Sequence, residues 1–213
     1  LSRGLGDVYK RQHYSLLCFS RLTCVIFAIE MKNIVVYGAS SARIDQEFIE
    51  AGVETGRSIA RAGFGLVCGG GKFGMMGAAI DGCIEAGGRA VGVLPEFMDN
   101  RGWAHPALTE KIVTPDMHSR KACMLGLASG VIALAGGIGT FEELLEALTW
   151  RKLGLWQGEI VILNTRGYYN PLDAQLREAE DLLFGHADYS LTADPAEAVA
   201  IIAGACPVSY THL

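Results

Sequence analysis

The sequence predicts an α/β fold in which a single doubly wound parallel sheet carries helices on both faces. Three observations lead there. Short runs that are apolar throughout recur between residues 33 and 164, the pattern of strands covered on both sides. Amphipathic stretches of helical length separate these runs, so βα units repeat. Glycine clusters stand at 69–71 and 136–139, directly after two of the runs, where such sheets place their ligand loops.

The elements follow in order. NIVVYG (33–38) is the first strand, ended by glycine. A helix from Asp45 to Ala62 packs through Phe48, Ile49, Gly52, Ile59 and Ala60. FGLVCGGG (64–71) is strand two with its glycine turn, and Phe73 to Ala86 is a helix with Met76, Ala79, Ile80 and Cys83 at helical spacing. RAVGVLP (89–95) is a third strand stopped by Pro95, and the polar stretch 96–109 reads as a loop. KIVTP (111–115) is a short strand. Asp116 to Ala128 is a helix, with Asp116 placed to cap or charge its start. GVIALAGG (130–137) is a strand, Thr140 to Leu153 a helix, EIVILN (159–164) a strand, Leu172 to Phe184 a helix, and Pro195 to Ala203 a last helix. No internal repeat or linker divides the chain.

Composition narrows the function. With 213 residues, 50% hydrophobic and 19% charged, the chain builds one domain with a sizeable core rather than a disordered segment. A net charge of −5 and the lack of basic runs interleaved with aromatics argue against a nucleic-acid groove, while a small anion held by backbone amides stays compatible. Six cysteines at 18, 24, 68, 83, 123 and 206 show no C-x-x-C spacing. They read as free thiols in a reducing compartment, which predicts a cytoplasmic protein without a metal site. Residues 1–30 break the regular pattern, and LSRGLGDVYKRQ (1–12) and PVSYTHL (207–213) resemble translated adaptor sequence. The apolar run LLCFSRLTCVIFAI is interrupted by Arg21 and is short for a membrane span. The expected domain is therefore 31–206, opening at Met31.

Three stretches carry chemistry. GGGKFGMMG (69–77) joins a strand to a helix, and glycines there allow backbone to approach an anion closely. It is not a dinucleotide fingerprint, because the first strand ends in YGASSAR, and Lys72 lies in no G-K-[ST] phosphate loop. In LAGGIGTFEELLEAL (134–148), Gly136, Gly137 and Gly139 form a tight loop, and Thr140 caps the helix or donates to a phosphate. Phe141, Leu144, Leu145 and Leu148 make its apolar stripe, Glu142, Glu146 and Thr149 its solvent side, and Glu143 falls between. Periodicity alone leaves Glu143 open between complementing the helix dipole and catalysis. In PDMHSRKACM (115–124), Arg120 aligns with Cys123 and Leu127, while Met117, Lys121, Met124 and Ala128 share another side. An arginine near a helix start opposes the dipole unless it faces an anion or a carboxylate. His118 has no serine, cysteine or metal partner at a recognisable spacing. A glutamate beside a bound sugar phosphate suits cleavage at an anomeric carbon, where the transition state is oxocarbenium-like.

Taken together, GGGKFGMMG, DMHSRKACM and AGGIGTFEE resemble the three signatures of the LOG ("lonely guy") family, the cytokinin riboside 5′-monophosphate phosphoribohydrolases once described as lysine decarboxylases. TWRKLGLW and NTRGYYNPL are similar to later segments of the family, so the resemblance spans about 31–185. It implies a Rossmann-like homodimer that hydrolyses the N-glycosidic bond of AMP or an N6-substituted analogue without a cofactor. By motif it implies Arg120 and Glu143 as the catalytic pair, with the phosphate on Gly136, Gly137, Gly139 and Thr140 and Lys121 near the nucleotide. Met117 would border the base, Ser40 and Gly70–Gly71 the phosphate–ribose side, and Thr149 the rim.

Ala135 stands where the family's third signature opens with proline, Met75 where it has leucine, Gly102 where many relatives carry glutamate, and YGASS replaces the commoner YCGSS. The Gly102 position touches the nucleotide in relatives, so recognition of the base or ribose differs there. The rival reading is a non-catalytic nucleotide-binding or carrier protein of the same fold, akin to DprA and the molybdenum-cofactor carriers.

Overall fold

The computed structural model describes residues 32–205. The expectations for 1–30, for Met31, for 207–213 and for Cys18, Cys24 and Cys206 lie outside the described residues. Among the described residues there are seven strands: β1 (Asn33–Tyr37), β2 (Gly65–Cys68), β3 (Ala90–Pro95), β4 (Glu110–Thr114), β5 (Gly130–Ala133), β6 (Glu159–Leu163) and β7 (Ser190–Thr192). The helices are α1 (Gln46–Arg61), α2 (Gly74–Glu85), α3 (Glu96–Asp99), α4 (Met117–Gly126), α5 (Ile138–Lys152), α6 (Asn170–Asp181) and α7 (Pro195–Ala205).

The strands form one sheet in the order β4-β3-β2-β1-β5-β6-β7, every pair parallel. Side chains alternate between faces along each strand, and both faces are covered. Ile34, Val36, Leu66, Ile132 and Val161 pack with Ile59, Ile80, Ala198 and Ile202 of α1, α2 and α7. Val35, Val67, Val91, Val131 and Ile160 pack with Met124, Leu125, Leu144 and Leu148 of α4 and α5. Each such buried Val, Leu, Ile or Met side chain contributes about 1.5–3 kcal/mol relative to exposure. The predicted doubly wound α/β architecture is the observed one.

Chain direction across the sheet reverses between β1 and β5. The loops leaving these neighbours therefore diverge to opposite faces and open a crevice at their carboxyl ends. No helix among the described residues is long and apolar enough to cross a membrane.

Several boundaries differ from the sequence expectation. β7 is a three-residue, half-buried edge strand whose SLT has no apolar run to announce it. The stretch 96–109 is not wholly loop, since α3 makes one helical turn there. α5 starts at Ile138 with Gly137 as its N-cap, so Thr140 is inside the first turn and does not cap it. α6 ends at Asp181, and Leu182–Phe184 lie beyond it and are exposed, with Leu183 at φ 61. The buried face of α5 is Thr140, Glu143, Leu144, Ala147 and Leu148, while Leu145 is exposed. The helix is rolled so that Glu143 meets a partner on α4, a contact that spacing within one helix does not record.

Candidate active site

The crevice at the switch point is a cavity of about 420 Å³. β1 delivers Gly38 to Ser41, β2 delivers Gly69 and Gly71, and α4 and α5 contribute the charged groups. Its centre is the ion pair between Arg120 and Glu143, with Nη1 donating to Oε1 at 3.0 Å and both side chains more than nine-tenths buried. Local chemistry places each partner. Asp116 caps α4, its Oδ1 accepting the Ser119 N–H at 2.7 Å, and this bond holds the Asp116 carboxyl below its ordinary range. That fixes the first turn from which Arg120 projects. The guanidinium Nε then donates to the Val93 carbonyl at 3.0 Å, tying it to the end of β3.

Burial raises the Glu143 carboxyl above its usual value, and the Arg120 guanidinium offsets part of that rise. A weakly solvated carboxylate beside a fixed cation suits stabilisation of developing positive charge. The Cys68 thiol at the end of β2 is not a nucleophile of comparable promise: burial pushes it up to about 12.

The start of α5, one turn before Glu143, borders the same cavity. Gly137 is an N-cap without a side-chain cap hydrogen bond, and the first-turn amides of any α-helix lack partners within it. Together with the helix dipole they form a seat for an anion. The buried Thr140 hydroxyl stands against Gly136, where a Cβ would come within 2.1 Å of Oγ1.

A lid covers a third side. Residues 96–105 bring Met98 and Trp103 to the cavity wall. The Arg101 guanidinium lies 5.9 Å from the Phe97 ring and 5.2 Å from the Trp103 ring. The lid is pinned to the β2 loop by a Gly71–Ala104 bridge, by His105 N–H on the Gly70 carbonyl at 2.8 Å, and by Lys72 Nζ on the Gly102 carbonyl at 3.1 Å. Buried His105 accepts the Ala107 N–H on Nδ1 and meets Asp81 Oδ1 through Nε2 at 3.2 Å. That pattern is the neutral imidazole with its proton on Nε2.

Of the residues singled out in the sequence, Ser40, Gly71, Met117, Arg120, Gly137, Gly139, Thr140 and Glu143 line this one cavity. Gly70 and Gly136 stand just behind it and shape its loops. Lys121 and Thr149 are not brought in. Lys121 pairs with Glu142 and, at 3.3 Å, with Glu146; burial alone would lower its pKa, but the two carboxylates hold it above the ordinary lysine value. The Thr149 hydroxyl donates to the Leu145 carbonyl of its own helix at 2.7 Å. Sequence reasoning missed Leu94, Met98 and Trp103, which give the cavity its apolar wall. A tryptophan inside a polar loop was the available signal.

Comparison with known proteins places this geometry. A family model described as "Possible lysine decarboxylase" matches residues 76–200, a stretch that contains Arg120 and Glu143. A cytokinin riboside 5′-monophosphate phosphoribohydrolase of Rhodococcoides fascians is 46% identical over 125 residues, covering 58% of this chain and 63% of that protein. One of Arabidopsis thaliana is 37% identical over 143 residues, covering 67% of each. The chain thus matches less than two thirds of the Rhodococcoides protein's length. Among solved structures, the molybdenum cofactor carrier protein from Chlamydomonas reinhardtii matches with a TM-score of 0.64 at 26% identity, over 82% of this chain and 97% of that one.

Proposed function

The chain belongs to the LOG family, and from that premise we propose that it hydrolyses the N-glycosidic bond of adenosine-type nucleoside 5′-monophosphates. The substrates are AMP or an N6-substituted relative such as a cytokinin riboside monophosphate, and the products are the free base and ribose 5-phosphate. The observation that carries this reading is the buried Arg120–Glu143 pair in the wall of a cavity that the start of α5 also borders.

In this mechanism the 5′-phosphate docks on the first-turn amides of α5 and the Thr140 hydroxyl, which brings C1′ beside Glu143. As the C1′–N9 bond breaks, its electron pair leaves with the base and positive charge builds on C1′ and the ring oxygen. The Glu143 carboxylate stabilises that charge and orients the attacking water or a ribose hydroxyl. The water oxygen bonds to C1′, one of its protons ends on the departing base, and the sugar keeps the hydroxyl. Arg120 holds the carboxylate and the sugar in register. Met98, Met117 and Trp103 offer an apolar surface to the base. The same reading carries a cytoplasmic homodimer whose partner is a small nucleotide rather than a nucleic acid or a membrane.

Decarboxylation of lysine would require pyridoxal phosphate held as a Schiff base, and the two lysines near the cavity do not fit it. Lys121 is held protonated by two carboxylates, and Lys72 is engaged with the Gly102 carbonyl. The alternative is a nucleotide-binding or carrier protein of the same fold, favoured by the likeness to the Chlamydomonas carrier. It gives no role to a buried carboxylate–guanidinium pair. Chromatography of a panel of nucleoside monophosphates after incubation with wild type and Glu143→Gln tests the proposal. Base release is expected from AMP or an N6-substituted AMP, with the variant slower by about 10²–10³-fold. No release from any nucleotide, with binding retained, would establish the carrier reading instead.

A further inference from the structure

The segment NTRGYYN, residues 164–170, does not line the main cavity, yet two of its side chains reach the glycine loop. The Tyr169 hydroxyl donates to the Leu134 carbonyl at 2.7 Å, and the Tyr168 hydroxyl donates to the Gly136 carbonyl. Between them, the Ala135 carbonyl accepts the Ala39 N–H at 3.0 Å. Three successive peptide planes are thereby each held from outside the loop.

The turn that aims the tyrosines is itself built for the purpose. Arg166 and Gly167 take left-handed conformations at φ 57 and 71. Asn164 Oδ1 accepts the Tyr169 N–H at 2.7 Å, and Asn164 Nδ2 donates to Asn170 at 2.7 Å. Tyr168 also stacks on Phe141, in the first turns of α5, at 6.3 Å between centroids.

Tyr168, Ala135 and Gly136 border a separate apolar cavity of about 230 Å³ and not the main one, Gly139 and Thr140 border only the main one, and Gly137 stands between the two and borders both. In a trans peptide the carbonyl and the following N–H point in opposite directions, and no described peptide is cis. Holding the Gly136 carbonyl toward Tyr168 therefore turns the Gly137 N–H away from Tyr168, at a residue that borders the main cavity. The Gly136–Gly137 link has no Cβ on either side to restrict rotation, so an outside hydrogen bond decides its orientation.

We propose that Tyr168, seconded by Tyr169, is a positioning residue that sets the Gly137 amide, and with it the start of α5, for binding a phosphate monoester. Only the identity of the ligand rests on the nucleotide reading; the clamp itself rests on the hydrogen bonds.

The test measures binding of ribose 5-phosphate, which is not consumed, and of adenosine by calorimetry, alongside KM and kcat for AMP. In Tyr168→Phe, which keeps the ring and its packing, ribose 5-phosphate binding and KM for AMP should weaken by about five- to twenty-fold. Adenosine binding and kcat should move less than about two-fold. Gly137→Pro deletes the amide in question at a position where an added Cβ meets nothing. It should weaken phosphate binding similarly, and Tyr168→Phe should add little on top of it. In wild type, ribose 5-phosphate should shift the Gly137 amide resonance more than those of its neighbours, whatever the variants do. Unchanged phosphate binding in Tyr168→Phe, equal losses for adenosine and ribose 5-phosphate, or a silent Gly137 amide would each overturn the proposal. Failure of wild type to release base would leave these binding measurements intact and would count against the hydrolase reading alone.

Discussion

The guanidinium of Arg120 occupies the space in which a side chain at residue 69 would begin: a Cβ added to Gly69 would stand 1.9 Å from Nη2. The first glycine of the β2 turn is thus the socket of an arginine from another βα unit. Gly69→Ala should push the guanidinium off Glu143 and off the Val93 carbonyl. A fall in kcat/KM of about 10²-fold is expected, with a stability loss of about 1–3 kcal/mol from overpacking. Base-release assays and thermal unfolding check both, and an unaltered rate would show that the guanidinium is not needed where it lies.

The pH dependence follows from Glu143. Burial raises its carboxyl above 4.5 and Arg120 offsets only part of the rise. Catalysis uses the ionised form, so kcat/KM should fall on the acid side with a limb above 4.5, absent from Glu143→Gln. Stability runs the other way. The folded chain binds this proton more readily than the unfolded one, so the contribution is fully present below 4.5 and is lost as pH rises through the folded-state pKa. Denaturant titrations should find wild type losing stability relative to Glu143→Gln across that window, and a constant difference would contradict the assignment.

Gly102 sits at φ 68 with open space where a Cβ would go. Gly102→Glu should therefore cost about 1–2 kcal/mol for the left-handed backbone rather than for a clash. It places a carboxylate on the lid beside Lys72 and Trp103, so the rate ratio between N6-substituted AMP and AMP should change by about ten-fold. An unchanged ratio would mean that the lid does not read the base.

Lys121 pairs with two carboxylates of α5, of which Glu142 also borders the cavity. Lys121→Met leaves Glu142 and the part-buried Glu146 without their cation, and a loss of about 1–3 kcal/mol is expected in thermal unfolding. The rate of AMP hydrolysis should stay within about five-fold of wild type, because Glu143 and Arg120 keep each other. Pyridoxal phosphate added to wild type should give no imine absorption band; its appearance, with carbon dioxide released from lysine, would reopen the decarboxylase reading.

Much of this was legible in the chain. Short, largely apolar runs rich in valine and isoleucine, set between stretches of helical length, point to central strands of a covered parallel sheet, so β1, β2, β3, β5 and β6 announced themselves. β7 did not, being three half-buried residues whose pairing with β6 depends on a long-range register. Arg120 and Glu143 stood out because a cation and a carboxylate near helix starts both need a reason. That Lys121 is spent on Glu142 and Glu146 was hidden, because which faces of α4 and α5 meet is settled by the sheet between them. The tyrosines of residues 168–169 were hidden for a related cause: a hydroxyl on a distant backbone carbonyl leaves no spacing in the sequence.

The Arg120–Glu143 pair also sets how a lineage can leave this chemistry behind. Removing either partner alone strands a buried charge, at a cost of about 3–5 kcal/mol, which is a large part of a domain's net stability. Replacing both together with apolar side chains avoids that cost. Loss of activity by descent is therefore expected to erase the arginine and the glutamate in concert, leaving the glycine loops as the remnant of a former enzyme.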